Sequence, residues 1–197
     1  YHTPSGRVIQ RPYEQGKRRE YYLDHLRRYD DATRDSLDAG ALAYRTLRTG
    51  RTVYGGGGIR PDVLVEADTT GFSDYYAELI RRGIVADFVG DWLDRSRDSL
   101  SRLYPAFEVF DAGYTPSDAV LDGLARLGSE RGVKFDAAGF AVSEPVMRAQ
   151  LKALAAQRLF GTGAYFRVVN PALSPAYARA LSILEAWDEL GAPVLEP

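Results

Sequence analysis

The chain has 197 residues, 45% of them hydrophobic and 26% charged, with a formal net charge of −2. That is the composition of a folded domain able to bury a sizeable core. It contains no cysteine, which excludes disulfides, thiolate metal sites and cysteine nucleophiles. No run approaches the roughly 18 apolar residues of a membrane-spanning helix.

In chain order, Pro4-Ser5-Gly6 reads as a turn, and the alternation of Arg7, Val8, Ile9 and Gln10 suits a strand. Tyr21, Tyr22, Leu26 and Tyr29 have helical spacing within residues 18–29, and Asp30 to Gly40 is polar enough for a loop or a short helix. Leu42, Tyr44 and Leu47 suggest a brief strand, followed by a turn at Thr49-Gly50-Arg51 and the strand-like Thr52-Val53-Tyr54. Four glycines, Gly55 to Gly58, come next, and Val63-Leu64-Val65 reads as another short strand. Glycines flanked by apolar strands are not a flexible linker. They mark backbone that turns through conformations closed to other residues or lies directly against a neighbouring strand.

The character changes near residue 71. Phe72 to Val85 carries Tyr76, Leu79, Ile80 and Ile84 on a helical stripe with Ser73 as N-cap, and Phe88 to Leu103 reads as a second helix. Phe107-Glu108-Val109-Phe110 is expected to be extended. Ser117 caps a third helix with Leu121, Leu124 and Leu127 inward. Ser143-Glu144-Pro145 starts a fourth, which stops near Gly161, and Ser174-Pro175 starts a fifth, aligning Tyr177, Leu181, Leu184 and Trp187 and ending at Gly191. The fold expected is therefore α+β and predominantly helical, with few strands and a helical insertion in residues 1–70 and a helical domain in 71–197.

The candidate sites are sparse. The glycine run leads into a strand rather than a helix and has no following Gly-Lys-Ser/Thr, so it is not a phosphate cradle. Residues 1–54 hold 11 Lys+Arg against 7 Asp+Glu and the remainder 14 against 20, but the basic residues lie in mixed-sign runs typical of solvated helix faces, and nucleic-acid binding is not expected. There is no Gly-x-Ser-x-Gly elbow, and Ser5 has no base near it in sequence. A Ser–Lys pair would need a desolvated amine. Lys17 sits beside Arg18 and Arg19, Lys134 lies in a turn-like segment, and Lys152 is expected to reach solvent from a helix. Asp30, Asp31, Asp35 and Asp38 lack calcium-loop spacing, His2 and His25 are too few and too far apart for a zinc site, and Glu185, Asp188 and Glu189 read as the wet face of the last helix. Tyr21–Tyr22, Tyr75–Tyr76 and Tyr165–Phe166 are adjacent aromatic pairs, expected to place one member in a core and the other on a partner surface or at the interface between the two parts. No catalytic, cofactor-binding or metal-ligating residue is assigned.

Two segments carry a resemblance. Tyr1-His2-Thr3-Pro4-Ser5-Gly6-Arg7-Val8-Ile9-Gln10 resembles the Y-Y-T-P-S-G-R-x-I-Q segment of the carboxyl-terminal processing peptidases, the tail-specific proteases, and Gly50 to Val63 resembles their later G-G-G-I-x-P-D-V segment, in the same order. The stretch from Leu151 to Leu154 and then Gly163 to Asn170 is similar to the C-terminal helical region of a longer bacterial branch. The resemblance implies a serine endopeptidase with a Ser–Lys dyad, an upstream peptide-binding PDZ domain and a location in the periplasm or otherwise outside the cytoplasm, although no signal-peptide pattern occurs in these residues. It also implies that both dyad residues precede the Thr3-to-Arg7 segment. No position here matches them, and Ser5 and Lys17 fall on the wrong side of the motif. The start at Tyr1, without methionine, reads as a cut. The expectation is a C-terminal fragment, inactive alone and structural or assembling in role, whose partners are the rest of the parent, its protein or peptide substrates and a second copy in a homo-oligomer. The alternative is a non-catalytic binding or scaffolding module of peptidase ancestry.

Overall fold

The computed structural model describes residues 2–10, 14–17, 42–56, 59, 61–66 and 68–191. The helix expected over 18–29, the loop over 30–40, His25, the four aspartates, the Tyr21–Tyr22 pair and Gly57–Gly58 lie outside the described residues. The chain divides into two compact units, one of Tyr1–Leu64 with Ile183–Pro197 and one of Val65–Ser182.

Among the described residues, the first unit holds a small sheet and the end of the last helix. β1 (Ala43–Arg45) and β2 (Thr52–Tyr54) pair antiparallel, with Tyr44 opposite Val53. The turn between them is closed by Thr46 and Gly50, and Leu47, expected in the strand, lies in that turn and is exposed. The strand expected at residues 7–10 is reduced to one bridge, His2 to Val8. Val63-Leu64-Val65 is not a strand: Asp62 and Val63 bend, and three apolar residues without a pairing partner do not define one.

The second unit is helical and holds the core. α1 (Asp74–Arg81) begins where the Ser73 hydroxyl accepts from the Tyr76 amide at 3.2 Å, the cap expected. It is shorter than the periodicity suggests. Gly83 takes φ 72°, a left-handed conformation that breaks the helix, and Ile84 and Val85 open α2 (Ile84–Leu103). Tyr75 and Tyr76 are both buried, because two adjacent positions of α1 are covered at once. Of the Tyr165–Phe166 pair, Tyr165 is half-buried against the core and Phe166 is exposed.

Phe107–Phe110 is helical, not extended. It opens α3 (Phe107–Gly113), and its two phenylalanines are buried while Glu108 and Val109 are exposed. Residues three apart share a helix face but fall on opposite faces of a strand, so burying both rings on one core selects the helix. α4 (Asp118–Glu130) follows Ser117, whose backbone has cap geometry but whose side chain makes no capping bond. Leu121 and Leu124 are buried.

α5 (Ala137–Phe160) starts six residues before the expected Ser143, where Asp136 accepts from the Ala138 amide at 3.1 Å. Pro145 therefore lies inside the helix. It is tolerated there because both it and Ala141, whose carbonyl loses its donor, are exposed. Gly161 ends α5 as expected, and α6 (Thr162–Leu173) follows at once. α5 packs against α1, α2, α3, α4 and α6 and is the central element of the unit. α7 (Pro175–Glu185) begins at the expected Ser174-Pro175, gives way to a π-turn over Trp187–Gly191, and buries no residue. Tyr177, Leu181, Leu184 and Trp187 are exposed. The architecture is α+β and predominantly helical.

Leu124→Ala, at a fully buried position, is expected to cost about 2–5 kcal/mol of stability, whereas Leu181→Ala on the exposed face of α7 should stay within about 0.5 kcal/mol. Urea unfolding of both variants checks the contrast, and equal losses would show that the α7 face is covered. Tyr75 is buried and its hydroxyl has no hydrogen-bond partner among the described residues, so Tyr75→Phe should leave the melting temperature unchanged or raise it. A clear fall in melting temperature would reveal a partner for that hydroxyl.

Candidate functional site

The two segments that carry the family resemblance meet in the sheet unit. Thr3 to Arg7 closes a tight turn: the Gly6 amide donates to the Thr3 carbonyl at 2.8 Å, and the Thr3 amide donates to the Arg7 carbonyl at 2.9 Å. The glycine run then extends β2 between two neighbours. The Gly55 amide donates to the Leu42 carbonyl at 3.0 Å, and the Gly56 amide donates to the Val8 carbonyl at 2.8 Å. Donors of successive residues point to opposite sides, as they do along a strand with a partner on each edge. A Cβ on Gly55 would lie 2.8 Å from Cε2 of Tyr44 and 3.3 Å from the Val8 carbonyl oxygen, so only glycine lets these segments approach. Gly56 has φ 78°, closed to most side chains. An Arg51–Asp62 ion pair joins residues on either side of the glycine run.

Ser5 lies in the turn, where its hydroxyl shares a 3.1 Å hydrogen bond with Thr3. No lysine reaches it. Lys17 pairs with Glu14 at 2.7 Å and is exposed, and Lys134 is exposed. Lys152 does not extend freely into solvent. Its amine donates to the Asp111 carbonyl at 2.5 Å and pairs with the Asp111 carboxylate at 3.2 Å, its side chain mostly covered. His2 is exposed. Among the described residues no group of three or more His, Cys, Asp or Glu could hold a metal ion, and no helix is long and apolar enough to cross a membrane.

The helical unit offers polar joints rather than a reactive centre. Ser143 is fully buried; its hydroxyl accepts from the Ser73 amide at 2.8 Å and donates to the Ser73 hydroxyl at 2.9 Å, which ties the start of α1 to the middle of α5. Sequence reasoning read Ser143 as a helix start. Its burial follows from α1 lying across it, and no local pattern carries that signal. Arg148 on α5 donates to the Pro116 carbonyl and pairs with Asp118 and Glu144, clamping the start of α4. An open hollow of about 300 Å³ is lined by Trp92, Tyr104 and Tyr114 together with hydroxyl-bearing Ser96, Ser99 and Thr115. Trp92 and Tyr114 stack with ring centres 6.4 Å apart. Burial pushes the phenols of Tyr76 and Tyr114 above their ordinary value, and neighbouring Tyr165 and Tyr104 add to the rise.

Residues 75–161, less than half of the chain and all within the helical unit, are similar to a family of unknown function (DUF8443). No curated protein and no solved structure matches the chain.

The raised phenols set an alkaline limit. Below about pH 10 both phenols are protonated in the folded and unfolded chain alike, and their burial is fully available. Above that, the unfolded chain releases protons that the folded chain retains, so stability falls by up to about 1.4 kcal/mol per pH unit for each phenol. Melting temperature measured from pH 8 to 11 should drop steeply past pH 10, and Tyr76→Phe should flatten the slope. An unaltered slope in that variant would remove Tyr76 as a cause.

Proposed function

We propose that this chain is the C-terminal portion of a carboxyl-terminal processing serine endopeptidase, lacking the Ser–Lys pair and the PDZ domain, and that it completes and assembles the enzyme outside the cytoplasm. The observation that carries the reading is the Gly56-to-Val8 hydrogen bond. The two motif segments, far apart in sequence, are neighbours in one small sheet, as they would be if both closed the same catalytic domain. A further support is that none of the described residues of the sheet unit is buried. A two-stranded sheet without a core is marginal by itself, so its apolar residues need a surface supplied by other chain. A second reading, a non-catalytic scaffolding module of peptidase ancestry, draws on the family similarity, which is confined to the helical unit.

The purified chain is expected not to cleave unstructured peptides at any pH, whereas the intact gene product should do so through a serine and a lysine encoded upstream of Tyr1. Steady turnover by the chain alone, abolished by Lys17→Ala, would sink the reading. An intact gene product with no upstream serine and lysine would favour the scaffold. In an active parent, Gly55→Val should lower activity severalfold, because the added side chain collides with Tyr44 and separates the two motif segments. Unchanged activity would show that their contact is dispensable.

A further inference from the structure

The two units differ in what could hold them folded. Every buried hydrophobic residue among those described lies between Tyr75 and Val168. The helical unit also secures its own leading segment: Asp68 accepts from the amide and hydroxyl of Thr70 at 2.9 and 2.6 Å, and Ser73 is tied to the fully buried Ser143. None of these bonds needs a residue before Val65. In the sheet unit, Leu42, Leu47 and Ile59 are each more than two-thirds exposed, and no described residue of the unit is buried. Backbone hydrogen bonds without apolar cover open at low cost, whereas those around a packed core open only with the whole cooperative unit.

We infer that the chain unfolds as two separate cooperative units and that β1–β2, with the glycine extension, opens while the helical unit remains folded. The inference is independent of the peptidase reading. Its consequence is an order of dependence: the helical unit stays folded whether or not the sheet unit is ordered.

Native-state hydrogen exchange of the full chain in low denaturant tests this. The amides of Gly55 and Gly56 should exchange at least about 100-fold faster, after correction for intrinsic rates, than those of Leu79, Leu124 and Leu151. Equal protection, with both sets converging on one unfolding isotherm, would overturn the inference. Leu124→Ala should speed exchange in the helical unit and leave Gly55 and Gly56 unchanged. Should that variant fail to fold, Val133→Ala removes less of the same core and is read in the same way. Acceleration of both sets by the same factor in either variant would also overturn it.

Discussion

Burial of α5 on several sides at once is the constraint on which the helical unit depends. Met147, Leu151, Ala153, Ala155 and Ala156 are all fully buried, and positions 153, 155 and 156 point in different directions around the helix. From Val146 to Gln157 no residue of α5 is exposed, so that stretch cannot be amphipathic in the usual sense. Its small alanines let neighbouring helices come close, while Met147 and Leu151 fill the space those helices leave. The five helices that touch α5 take their places from this contact. The Ser73–Ser143 pair and the Arg148 clamp satisfy polar groups at two of the joints. Buried hydroxyls without such partners would cost more than the packing around them returns.

The sheet unit is organised by backbone rather than by side chains. Gly55 and Gly56 serve because they lack a Cβ, and the atoms they approach, Tyr44 and the Val8 carbonyl, belong to segments distant in sequence. Such an arrangement brings backbone edges together, and no described residue of the unit is buried. Ser5 shares a hydrogen bond with Thr3, and Lys17 and Lys152 pair with carboxylates.

Much of the helical unit was legible in the residues. Ser73 before α1, the Leu121/Leu124 spacing in α4, the stop at Gly161 and the start at Ser174-Pro175 are local signals, and each acts through neighbours within one turn. The misreadings have a common origin. Phe107-Glu108-Val109-Phe110 is short and apolar enough for either period, and only a core that takes both rings selects the helix. Pro145 resembles a helix start because the cost of its missing amide depends on whether the carbonyl at Ala141 is exposed, which is a property of the packed unit. The pairing of Lys152 was equally hidden: Asp111 is far from Lys152 in sequence and adjacent to it in space.

By itself, then, the order of residues determined the helical character of the second part, most of its caps and breaks, and the special backbone role of the glycines, because these rest on forces that act within a few residues. Only the tertiary structure decided that α5 is central, that Ser143 is a buried joint, that Lys152 is paired and that the glycine run lies against Val8. Each of these depends on which distant surfaces exclude water from one another, and burial is a property of the assembled fold rather than of any local stretch of chain.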